Sequence, residues 1–192
     1  MNSSDQFPYL CSVNRLLLIT LFLFGIGISS CRENVDSAAL QVYEGPVNIA
    51  TNVHVVQSDS AILRSEIRAP KQYEYLEGNM EFPEGVEIQF YEKDGTLSTR
   101  LRADQGYFDK KENLYHGVGN VQVENMLEDQ SLQAEELYWD PTQKIIYTET
   151  FVTIRDKQTL FNGTGMVADE SFTNYTLKNV RDSRTLLPGE GL

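Results

Sequence analysis

The residues best equipped for chemistry in this chain are two cysteines, two histidines and a surplus of carboxylates. Their spacing narrows what they can do. His54 and His116 stand alone, without the HExxH spacing that brings two imidazoles to one metal, and read as surface or turn residues. Glu135 and Glu136 are adjacent, so on a strand they point to opposite faces and cannot share a site. Gly117-Val-Gly119-Asn is too short for a dinucleotide fingerprint, and no nucleophile elbow occurs. No enzyme, no metal site and no cofactor is expected. Cys31 is the exception among these groups. It follows a 13-residue run, Leu16–Ile28, and two small residues, Ser29 and Ser30. A bilayer-crossing helix needs about 20 apolar residues, whereas this length suits a signal-peptide core. Ile28-Ser-Ser-Cys31 resembles a bacterial lipobox, whose thiol is acylated and becomes the new N-terminus. A slightly short membrane anchor running on through Ser30 is the other reading.

Either reading places residues from about 32 onward outside the cytoplasm, tethered to a membrane. Cleavage would remove Cys11 and leave Cys31 as the single cysteine, so stability must come from packing and strand pairing. The expected organisation is a leader over 1–31, a polar tether over 32–45, a body over 46–182 and a flexible tail over 183–192. With 41% hydrophobic and 10% aromatic residues in 192, the chain is globular, with one core or one elongated repeat structure. Its net charge of −12 argues against nucleic acid as a partner, because counterion release needs a basic face.

The body must position whatever the leader tethers, and its pattern has period two. Leu97, Thr99, Leu101 and Ala103 alternate with Ser98, Arg100 and Arg102; Val121 and Val123 flank Gln122; Val152 and Ile154 flank Thr153. Such alternation puts one face of a strand inside and the other in water. Turn signals separate the runs: Pro83-Glu-Gly85, Asp94-Gly95, Lys110–Asn113, Asp140-Pro141 and Asn162-Gly163. No helical stripe lasts three turns after residue 45, so the body is expected to be all-β. A weak repeat overlies the alternation. Leu101-Arg-Ala103, Leu132-Gln-Ala134 and Asn162-Gly-Thr-Gly165 recur every 31 residues, and Tyr107-Phe108-Asp109 matches Tyr138-Trp139-Asp140 in offset.

These residues resemble the LptC family, the membrane-anchored component of the lipopolysaccharide export machine. The likeness rests on Leu101-Arg-Ala-Asp-Gln-Gly-Tyr-Phe, Gly119-Asn-Val-Gln-Val-Glu-Asn, Leu132-Gln-Ala-Glu-Glu-Leu-Tyr-Trp-Asp, Ile145–Ile154 and Gly163–Leu177, with Ser58-Asp-Ser and Glu84–Tyr91 upstream. It runs over most of residues 50–180. The resemblance implies an open, twisted antiparallel β-jellyroll of the OstA/LptA-like kind, whose V-shaped interior holds acyl chains. It also implies lipopolysaccharide as ligand, the inner-membrane LptBFG transporter as donor and LptA as acceptor. Many family members keep an uncleaved N-terminal helix, whereas this chain has its lipobox-like segment, and residue 32 is Arg, not the Asp of an enteric retention signal.

The alternation supplies candidates for that interior: Leu101, Ala103, Val121, Val123, Leu132, Ala134, Val152, Ile154 and Leu177. Tyr138 and Trp139 face opposite ways, and Trp139 is taken as the inward one. Each exposed CH₂ of an acyl chain costs roughly 0.8 kcal/mol in water, so a continuous apolar trough is what a carrier would need. By the resemblance, the strand near Val47–Val56, with Val47, Ile49, Val53 and Val55, faces the transporter, and Phe161–Val180 meets LptA. Gly163 and Gly165 would permit the close backbone approach of strand addition there. The acidic surface should leave the anionic head of the lipid in solvent, with Arg64, Arg68, Arg100 and Arg102 on one outward face as a solvated stripe. Two other readings stand beside this one: a structural or adhesive β-repeat lipoprotein whose interior is core, and a closed barrel binding another small lipid.

Overall fold

The computed structural model describes residues 43–185. The leader, Cys31 and most of the tether lie outside the described residues, as does the end of the tail. The described chain forms twelve strands in one antiparallel sheet. They are β1 (Asn48–Asp59), β2 (Ile62–Glu74), β3 (Met80–Phe82), β4 (Val86–Tyr91), β5 (Leu97–Ala103) and β6 (Gln105–Asp109), followed by β7 (Leu114–Asn125), β8 (Gln130–Asp140), β9 (Ile145–Asp156), β10 (Thr159–Asp169), β11 (Tyr175–Leu177) and β12 (Arg181–Thr185). The all-β expectation holds. Residues 183–185 of the expected tail belong to β12, which runs to Thr185 against β10.

The sheet folds into two facing layers because its long strands change partners halfway. β2 pairs with β4 through Ser65–Arg68 and with β3 through Tyr73–Glu74. β7 pairs with β6 through Leu114–Val118 and with β5 through Arg102↔Gln122 to Thr99↔Asn125. β4 and β5 therefore belong to one layer, β3 and β6 to the other, and β1, β2 and β7–β10 run through both. Each crossing strand carries a device that bends it. Pro70 in β2 has no N–H to give the ladder, and Asn52 beside it in β1 sits at φ 53°. In β7 the bend is Gly119-Asn120, at φ 79° and 45°, and in β10 it is Gly165 at φ 83°. The β8–β9 register breaks between Ala134 and Tyr138.

This geometry gives the 31-residue echo a meaning. Ala103 ends β5 at the bend, Ala134 is the last residue paired before the β8 break, and Gly165 is the β10 bulge. The small residues mark the line where the layers converge. A Cβ on Gly117 of β7 would lie 3.0 Å from the Ala103 Cβ, so nothing larger fits there. One turn signal misled. Asn162-Gly163 lies inside β10, paired with Thr153 and Val152, because Gly163 is needed for clearance and not for a reversal.

Candidate functional site

The inward residues of the first layer fall into a row in strict register. Val55, Ile67, Ile88, Leu101, Val123, Leu132, Ile154 and Phe161 are successive cross-strand partners from β1 to β10. No polar residue interrupts them. Eight strands spaced about 4.8 Å apart make this an apolar lane roughly 34 Å long, running across the strands. A parallel row nearer the bend contains Val121, Ala134, Val152 and Gly163. The second layer answers with Phe108, Tyr115, Trp139, Ile146, Ala168 and Tyr175 in register.

All ten sequence-predicted interior residues sit in or against this core. Leu101, Ala103, Val121, Val123, Leu132, Trp139, Val152 and Ile154 are buried, while Ala134 and Leu177 are partly buried and packed on it. Trp139 is the member of the pair that points inward: its ring meets Phe90 edge-on at 5.0 Å and stacks on Tyr115 at 4.7 Å. Tyr138 stands on the outer face, stacked between His116 and Tyr147. In the middle of the trough the chain's own side chains pack closely. The void between Phe82, Leu101, Tyr115, Leu137 and Trp139 measures about 10 Å³. Facing rows of large aromatic and branched side chains close the space that a reading of single strands leaves empty.

Away from the bend, the two layers end in hairpins, and shallow clefts of about 200 and 210 Å³ open between them. Phe90 borders both, Trp139 borders one, and Arg64, Lys144 and Glu170 stand around them. Burial pushes the Glu170 carboxyl up from its ordinary range, against the pull of the Trp139 Nε1–H that donates to it at 2.9 Å. Nearby, the Tyr175 hydroxyl of the second layer donates to Asp156 of the first at 3.1 Å. Burial, and then that carboxylate, push Tyr175 up to about 12. A folded-state pKa above the unfolded value, about 10 for tyrosine, means stability is whole below pH 10 and is lost as pH climbs toward 12. Melting temperatures measured from pH 9 to 12 should fall in that window, and Tyr175→Phe should flatten the fall. An equal fall in both proteins would show that other groups cause it.

The two lateral edges differ. β1 pairs only with β2 among the described residues, and Val47, Ile49 and Val55 are exposed while Val53 packs against the core. At the other side Gly163 and Gly165 are not at a bare edge. The Leu177-Lys178 segment crosses them, with the Lys178 N–H donating to the Gly165 carbonyl at 2.8 Å. The segments presented outward there are β11 and β12.

On the outer face of the first layer the arginines alternate with acids across strands. Arg102 lies 2.7 Å from Glu87, and Arg100 lies between Glu87 and Glu124 at 3.9 and 3.8 Å. Burial raises the Glu87 carboxyl, but hydrogen bonds from Arg102 and Gln89 and the two arginine charges hold it below its usual range. Arg68 pairs with Glu66, whereas Arg64 stands apart at the clefts. Where β1, β2, β4, β5 and β7 bend, an open groove of about 1080 Å³ is lined by His54, Arg68, Glu84, Arg102 and Asp104 among others. Sequence reading missed it, because its residues come from five separate segments and share no periodicity.

A family model described as "Lipopolysaccharide-assembly, LptC-related" matches residues 16–184. No curated protein matches the chain.

Proposed function

The chain belongs to the LptC-related family of lipopolysaccharide assembly, and we propose from that premise that it is a membrane-tethered periplasmic carrier. It takes lipopolysaccharide acyl chains between its two layers from the LptBFG transporter and passes them to LptA. The observation that supports this reading is the unbroken apolar lane, which runs at right angles to the strands and reaches the outermost full-length strands on both sides. A partner strand added to β1 would continue the lane on one side, and one added beyond β11 and β12 would continue it on the other. Tails sliding along such a lane stay out of water throughout the transfer. The interior is full in this state, so tails take the place of side chains that move aside as the layers part on the side away from the bends. The tether to the inner membrane is the acylated Cys31 or an uncleaved apolar segment, and the anionic head stays in solvent.

The test is site-specific photo-crosslinking in membranes that contain the export machine. A probe at Ala134, on the inner face, should trap lipopolysaccharide at least tenfold more than one at Gln133, its outward neighbour. Equal trapping at the two positions would defeat the carrier. The packed interior favours one second reading, a structural β-repeat protein whose core is only a core. That reading expects no lipid adduct at either position, and no transporter subunits recovered with the tethered protein.

A further inference from the structure

The turn between β10 and β11 is built unlike the other hairpin ends. Phe172, at its tip, is fully buried although it lies in a loop. Its φ is 49°, the left-handed region that a bulky side chain adopts only when its surroundings force it. The force comes from the opposite layer. The Thr99 hydroxyl of β5 donates to the Ser171 carbonyl at 2.8 Å, and Asn125 Nδ2 of β7 donates to the Ser171 and Phe172 carbonyls at 2.9 and 3.2 Å. Trp139 Nε1 holds Glu170, and Tyr175 reaches across to Asp156. Asp169 in turn ties the loop together by accepting from Ser171, Thr173 and Asn174. The loop thus spans the side on which the layers are free to part, with an aromatic ring tucked beneath it against Tyr175.

The choice of groups is informative. Thr99 is fully buried and Asn125 nearly so, at positions where valine or leucine would pack without needing partners. Asn125 Oδ1 also accepts from the Leu127 and Glu128 N–H groups of its own turn, so its amide Nδ2 is the part that crosses to the loop, as the Thr99 hydroxyl does. Such bonds close a joint that water can reopen, since water replaces each bond on opening. An apolar weld has no such substitute.

We propose that residues Asp169–Asn174 are a latch on the interior and that Phe172 occupies a seat which a lipid acyl chain takes on binding. The proposal rests on the carrier reading above and adds the route: the tail displaces Phe172, the latch lifts, and the lane behind Trp139 and Phe90 becomes accessible. Relief of the strained backbone at Phe172 offsets part of the cost of opening.

Amide hydrogen exchange on the tethered protein in detergent, with purified lipopolysaccharide as the probe, tests this directly. Lipopolysaccharide should raise exchange at Phe172 and Thr173 at least tenfold and leave the β7–β8 amides protected. Thr99→Val removes one latch bond at nearly constant volume and should tighten lipopolysaccharide binding about fivefold, the change expected for losing one such bond. Phe172→Ala, which vacates the seat, should tighten it as well. The melting temperature of each variant identifies any that fails to fold, and the wild-type exchange measurement stands without them. Lipid crosslinked at Ala134 while the turn keeps its protection would overturn the latch and spare the carrier. No lipid crosslinked anywhere would overturn both.

Discussion

Trp139→Ala is expected to destabilise the protein by about 3–5 kcal/mol, the range for emptying a buried large aromatic site. For a chain of this size that is a fall of roughly 10 °C in melting temperature. The size follows from position. Trp139 is 2% exposed, contacts Phe90 across the layers and Tyr115 within its own, and donates the hydrogen bond that holds Glu170. Alanine leaves a cavity and strips a half-buried carboxyl of its donor at once. Trp139→Phe keeps most of the packing and loses the N–H, so it should cost about 1–2 kcal/mol, mostly for the orphaned carboxyl. If the alanine variant melts within a degree or two of wild type, the layers are not pinned together at this point.

The second large effect is local. Gly163→Val should strip β11 and β12 from the sheet at a cost of about 1–3 kcal/mol, typical of overpacking. A Cβ at Gly163 would stand 2.7 Å from Leu177 Cγ and Cδ1 and 2.8 Å from the Lys178 carbonyl oxygen. The leucine can rotate, but the carbonyl belongs to the backbone and cannot move without its strand. Hydrogen exchange should show Tyr175–Thr185 losing protection while β7 and β8 keep theirs. By the proposed function, handover to LptA should fail in the same variant. Retained protection at 175–185 would mean the segment can cross elsewhere, and the account of Gly163 would be wrong.

What could be read from the sequence was what a single strand can carry. Alternation in 99–103, 121–123, 132–134 and 152–154 agrees with the side that packs on the core, because period two is a local property of the backbone. It slips at Leu97 and Ser98, where the β4–β5 register shifts and Ser98 is the buried one. The choice of Trp139 over Tyr138 followed from the same parity. The spacing of Ala103, Ala134 and Gly165 was visible too, but their shared role was not, since a bend shows only when two layers exist to converge. Asn162-Gly163 was misread because the pair is a strong hairpin signal in isolation, and clearance for Leu177 overrides it. The same clearance explains why the Leu177-Lys178 segment crosses Gly163 and Gly165, a contact between distant residues that no local pattern shows. The latch lay beyond reach altogether. Thr99 and Ser171 are 72 residues apart and Asn125 and Ser171 46; alternation marks Thr99 as inward but says nothing of the loop it meets. The filled interior shows the same limit: alternation says which side chains point inward, and only facing rows show how much space they leave.

The 31-residue period makes the width of the molecule countable. Each copy contributes one out-and-back pair of full-length strands, hence about 10 Å of lateral span. Inserting or deleting one copy would therefore change the length of the apolar lane in fixed steps, while the outermost ribbons stay as they are.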